Sequence, residues 1–180
     1  MERREARLFK KNRAFFCIGS LLFTMLLGCV HSYGTEESVS KVDILEKAKI
    51  GALEGISIEI GASKKEVVHN FGKPIRTGNS EYGFSMYYDG FSLEFEDYAT
   101  SIDEIKEESK VVLINAEPKI VGITGKPNEI SKSLGKPSRT ILDDTGDNTY
   151  ILEYEVINYL LIFTFDTDQS PVKYITLRIK

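Results

Sequence analysis

The sequence predicts an α+β protein of two tandem units, each a short helix followed by antiparallel strands, with the helices packed on one face of the sheet. Three observations carry that expectation. The string Gly-Lys-Pro-x-Arg-Thr occurs at residues 72–77 and again at 135–140, 63 residues apart. Each copy closes a short amphipathic stretch. Each is then followed by runs of alternating polarity that turn back on themselves.

In chain order, the first element stands outside that fold. Residues 1–13 carry six Lys and Arg against two Glu, and residues 14–27 form a largely apolar run. That length suits the h-region of a signal peptide and falls short of the roughly 20 residues that span a bilayer. The run ends in Leu26-Leu27-Gly28-Cys29, which resembles the bacterial lipobox. The resemblance implies a signal peptide over residues 1–28, a diacylglycerol anchor on Cys29 and a polar tether over residues 29–39. Such an anchor is durable where a single short chain is not. The expected location is the outer face of the bacterial cytoplasmic membrane, with the membrane met through the lipid. An uncleaved anchor and ordinary cleavage after Ser32-Tyr33-Gly34 are the competing readings.

Composition narrows the function classes. With 42% hydrophobic residues in 180, a packed core is available. Without residues 1–28, 17 Lys and Arg face 25 Asp and Glu, a net charge near −8. An acidic chain is a poor nucleic-acid binder, and none is expected as a partner. Cys17 leaves with the signal and Cys29 carries lipid, so no thiol remains for a disulfide, a metal or catalysis.

The first unit, residues 40–109, begins with an extra helix capped at Ser40 and ending between Gly51 and Gly55. Ser63-Lys64-Lys65-Glu66 then has the pattern of a capping box. Val67 and Phe71 recur four apart, and Gly72 follows as a helix stop in the left-handed conformation, with Pro74 preventing resumption. A phosphate-binding loop has the opposite polarity, its glycines preceding the helix, so orientation argues against one. The alternating run 82–96 contains Asp89-Gly90, a hairpin signal. A two-residue turn there pairs Tyr88 with Phe91, Met86 with Leu93 and Phe84 with Phe95, all on one face. Residues 101–109 have helical as well as extended character and are read as a third strand with a bulge. Residues 110–118 are read as an extended segment crossing between units.

The second unit, residues 110–180, repeats the pattern. Pro127 suits the first helical turn, Glu129, Ile130 and Leu134 match Glu66, Val67 and Phe71, and Gly135 closes. A turn at Ile157-Asn158, or one a residue pair longer, places Tyr150, Leu152, Tyr154, Val156, Tyr159, Leu161, Phe163 and Phe165 together. The terminal strand puts Ile175, Leu177 and Ile179 on one side.

Residues 55–74, 82–95, 129–140 and the terminal strand resemble the YjgB-like family of secreted Gram-positive proteins, a domain of unknown function. The resemblance spans roughly residues 41–180 and implies fold without activity. More distantly, the helix–Gly-x-Pro–strand unit is similar to BamE/SmpA-like domains, and the tandem pair to β-lactamase inhibitory proteins. Both of those groups bind other proteins.

Catalytic and cofactor motifs are lacking in the sequence, so no enzyme, metal or cofactor is expected. His31 falls in the tether and His69 on the surface of a helix. Residues 143–147 depart from the spacing of a calcium loop and read as a solvated turn. The candidate partner-binding residues are Tyr87, Glu94, Glu96, Glu153 and Glu155, which share the polar parity of the two hairpins; Asp166 follows them. Aromatics among carboxylates suit a basic envelope protein. A small molecule or wall polymer held in a cleft between the units is the alternative.

Overall fold

The computed structural model describes residues 41–143 and 149–180. The lipobox with Cys29, the tether and the cap at Ser40 lie outside the described residues, as does most of the 143–147 turn. Helix α1 spans Lys41–Lys49 and α2 Lys64–Phe71, followed by β1 (Arg76–Asn79), β2 (Phe84–Tyr88), β3 (Phe91–Phe95) and β4 (Val111–Ala116). A short helix α3 (Pro118–Val121) leads to α4 (Pro127–Leu134), β5 (Arg139–Asp143), β6 (Thr149–Val156), β7 (Tyr159–Phe165) and β8 (Val172–Ile179). One antiparallel sheet holds all eight strands in the order β1-β2-β3-β4-β8-β7-β6-β5.

The capping box forms as its pattern predicts. The Ser63 N–H donates to Glu66 Oε2 at 2.7 Å, and the Glu66 N–H donates to Ser63 Oγ at 3.3 Å. In α4 Glu129 supplies its half alone, accepting the Lys126 N–H at 2.8 Å, because lysine has no acceptor to return. The glycines of the two Gly-Lys-Pro-x-Arg-Thr copies end their helices at positive φ, Gly72 at 72° and Gly135 at 95°. Their ψ values, −154° and −173°, depart from the expected left-handed helical cap. This extended, positive-φ region is essentially open to glycine alone.

Both hairpins take the expected registers, including two-residue turns at Asp89-Gly90 and Ile157-Asn158. Ile157 sits at φ 52°, the one non-glycine residue at positive φ among those described. The third-strand expectation for residues 101–109 fails. Residues 102–104 form a 3₁₀ turn inside the β3–β4 connection, and β4 occupies the place assigned to that strand. Long-range pairing decided the matter: β4 has free partners on both sides, β3 and β8. The segment expected to cross between the units is therefore a central strand.

One sheet face is the core. Phe84, Met86, Leu93, Phe95, Ile114, Leu161, Phe163, Phe165, Ile175 and Leu177 are buried there with Ile44, Val67 and Ile130 from the helices. Helix α1 lies against β6, β7 and α4, and α3 lies against β8. Ile179, at the end of β8, is exposed. Lys64 opens α2, is buried, and donates from Nζ to the Ile105 carbonyl at 2.7 Å.

Candidate functional site

Side-chain alternation sends every second residue of each strand to the face opposite the helices. The ladder registers make one row across that face: Arg76, Tyr87, Ser92, Asn115, Thr176, Ile162, Glu153 and Arg139. A neighbouring row carries Gly78, Ser85, Glu94, Leu113, Arg178, Leu160 and Glu155. At the centre the Thr176 hydroxyl donates to Asn115 Oδ1 at 2.9 Å.

Four of the five candidate residues share this face. Tyr87 lies under the Arg76 guanidinium, 3.7 Å from its ring centre. Glu94 accepts the Ser80 hydroxyl at 2.5 Å, and burial lifts its carboxyl above the usual glutamate range, against that hydrogen bond. Glu153 faces Arg139 at 4.0 Å with its side chain 15% exposed. Glu155 is exposed and pairs with Lys180 at 2.9 Å. Glu96 lies beyond the end of β3, past the irregularity between Glu94 and Phe95, and is exposed. Asp166 lies beyond β7 and pairs with Lys173 at 2.7 Å. Four strand spacings, about 19 Å, separate Glu94 on β3 from the glutamates of β6.

The face is thus less acidic than parity alone implies. Arg76, Arg139, Arg178 and Lys180 stand among the glutamates. Between them runs an aliphatic band of half-buried Ile151, Leu160 and Ile162. The loop at 80–83 covers part of the first hairpin's side. Tyr82 sits 5.6 Å from the Arg178 guanidinium, and the Tyr98 hydroxyl donates to the Glu81 carbonyl at 2.7 Å. On that side Ser85 is fully buried, its hydroxyl without a hydrogen-bond partner. The arginines and the aliphatic band were missed in the sequence although the signal was present. Arg stands at the same offset in both Gly-Lys-Pro-x-Arg-Thr copies, and Ile162 has the parity of Tyr87's row.

His69 is exposed on α2. Among the described residues no three His, Cys, Asp or Glu side chains gather where they could hold a metal.

The class defined by this geometry is an antiparallel-sheet protein with helices on one face and an open, mixed apolar and charged surface on the other. The chain belongs to the DUF4309 family, a domain of unknown function matched over residues 41–177. The crystal structure of a DUF4309 family protein (YjgB) from Bacillus subtilis superposes with a TM-score of 0.58 at 18% identity, covering 81% of this chain and 99% of that one. That likeness is one of fold. The chain is also 27% identical over 173 residues to Protein SCO1 homolog 1, mitochondrial, from Arabidopsis thaliana, covering 78% of this chain and 51% of that protein. It spans about half the length of that relative.

Proposed function

We propose that this chain is an exported lipoprotein, anchored through Cys29 at the outer face of the cytoplasmic membrane, that acts without catalysis by docking an envelope protein on its outer sheet face. The observation that carries the docking surface is the aliphatic band of Ile151, Leu160 and Ile162 rimmed by paired charges. An apolar centre within a polar rim is the anatomy of protein interfaces. Glu153 and Glu155 already have cations beside them. They would set register, while exposed Glu96 and the outer edge of Glu155 would meet basic groups of the partner.

We also infer that the two halves of the sheet are tandem repeats. Supporting this, α2 with β1–β4 and α4 with β5–β8 share an order that mirrors about the β4–β8 pair. Register irregularities fall at matching places, Glu94/Phe95 and Thr164/Phe165. The tyrosine after each outer-row position bonds its own Gly-Lys-Pro glycine: Tyr88 to the Gly72 carbonyl at 3.3 Å and Tyr154 to that of Gly135 at 3.2 Å.

Two measurements test the function. Labelling with a fatty-acid analogue should mark the wild type and spare Cys29→Ser; equal labelling would remove the anchor. A photo-cross-linker at position 164, on the outer face, should trap one partner protein whose yield collapses in Ile162→Glu with the melting curve unchanged. The same yield from both would move recognition to the loops.

A further inference from the structure

The two halves close the helix-side end of their hairpins differently. In the first, the β3–β4 connection, residues 96–110, folds back over the end of the sheet. Its Ala99 and Ile105 join the core, and Asn79 pins Ala99 through two hydrogen bonds. The start of α2 meets the same loop, Lys64 Nζ at the Ile105 carbonyl and the Lys65 N–H at the Glu107 carbonyl. Phe84 and Met86 are buried in the same core.

In the second half that connection shrinks to residues 166–171. The register puts Tyr150 and Leu152 where the first half has Phe84 and Met86. Leu152 stays buried, and Tyr150, half-buried with its ring edge-on to Phe165 at 6.2 Å, lines an open hollow of about 450 Å³. The α4 residues lining it, Pro127, Asn128 and Ser131, stand 63 positions after Lys64, Lys65 and Val68. Where Ala99 and Ile105 of the connection join the core in the first half, the described residues of the second leave a hollow, and Ser131 stands at its wall in the place of Val68.

The chemistry of that wall selects the occupant. Asp168 accepts, Lys136 and Arg139 donate, and Asn128, Gln169, Ser131 and the Tyr150 hydroxyl do both. An aliphatic plug like Ile105 would strip these groups of water without replacing its hydrogen bonds, which is unfavourable. A lone anion would gain Lys136 and Arg139 but meet the Asp168 carboxylate and leave the neutral donors and acceptors of the wall unmatched. A neutral molecule with many hydroxyls offers donors and acceptors together, and the Tyr150 ring supplies a flat apolar floor. The volume falls within the range of about 300–1,000 Å³ usual for ligand sites. We infer that this hollow binds a saccharide, one ring lying on Tyr150. The site is lined by α4 and shares only Arg139 with the outer-face rows, and it does not depend on the docking function.

The test follows backbone amides of the full-length chain in detergent micelles by NMR while chitotriose, cellotriose or maltotriose is added. At least one sugar should shift amides within 128–140 and 168–170 saturably, at about millimolar concentration. Asp168→Ala and Ser131→Val, the latter restoring the first half's residue, should each weaken that binding about tenfold or more with unchanged melting. Ile162→Glu should bind the sugar as the wild type does, which separates this site from the docking face. Silence with all three sugars, shifts elsewhere, or wild-type affinity in both hollow variants would overturn the inference. So would sodium phosphate moving the same amides more strongly than any sugar.

Discussion

The first and second halves of the sheet share helix, stop and hairpin, yet they spend their connections differently. The first carries a long β3–β4 excursion on its helix side and the 80–83 loop on its outer side. It hides Phe84, Met86 and Ser85 almost completely. The second has a short β7–β8 turn, a half-buried Tyr150 and a half-buried aliphatic band. The difference teaches that the sheet supplies a frame stable enough to be left uncovered in one half.

The sharpest way to break the comparison is to remove the plug. Ile105 is 2% exposed in the first half and has no counterpart in the second. Ile105→Ala should destabilise by about 2–5 kcal/mol in urea titration, through lost burial and the cavity left behind. A smaller loss would mean the excursion is a cover rather than part of the core.

The two stops should respond alike. A side chain at Gly72 or Gly135 would meet no atom within 4 Å, so backbone strain is the whole effect. Gly72→Val and Gly135→Val should each lower stability by about 1–3 kcal/mol. Unequal losses beyond that range would show that the stops are not equivalent.

The tyrosines refine the same point. Burial pushes the hydroxyls of Tyr88 and Tyr154 above the usual tyrosine range. Tyr154 is the more deeply buried ring. Tyr154→Phe should therefore cost about 1 kcal/mol and Tyr88→Phe less, as each glycine carbonyl loses its donor.

The turns predict a gain. Ile157 is 63% exposed at φ 52°, so removing its side chain gives up little packing and relieves the strain of a β-branched residue there. Ile157→Gly should raise stability by about 0.5–1 kcal/mol, bringing the second turn nearer to Asp89-Gly90.

The smallest effect is electrostatic. The Ser63 amide and hydroxyl hold the Glu66 carboxyl below the ordinary glutamate value of 4.5. Its stabilisation is therefore complete above pH 4.5 and is lost as pH falls through the depressed value. Glu66→Gln should flatten that acid limb of stability against pH, read by denaturant melts. Burial of Glu94 acts with the opposite sign, its raised value making stability fall as pH rises above 4.5.

Much of the frame was legible in the residues. The capping serine, both glycine stops and both hairpin registers follow from short-range chemistry. The Ser63 hydroxyl reaches only three residues away, and alternation ties Met86 to Leu93 once Asp89-Gly90 turns the chain. The third strand was misread because Ile102 and Ile105 carry as much apolar signal as Val111 and Ile114. The candidate face was half legible. Parity placed Tyr87, Glu94, Glu153 and Glu155 on it, while the cations beside them arrive from other strands.

What the sequence by itself determined is which side of each strand faces the core and where each helix ends. Both are settled within a few residues by steric limits on the backbone and by the period of two. Only the tertiary structure decided that β4 and β8 meet at the centre, joining two halves into one sheet. It alone placed a hollow beside Tyr150 at the end of the second half. Those outcomes are set by competition among distant apolar strands of similar pattern, and no local signal ranks such partners before the whole sheet assembles.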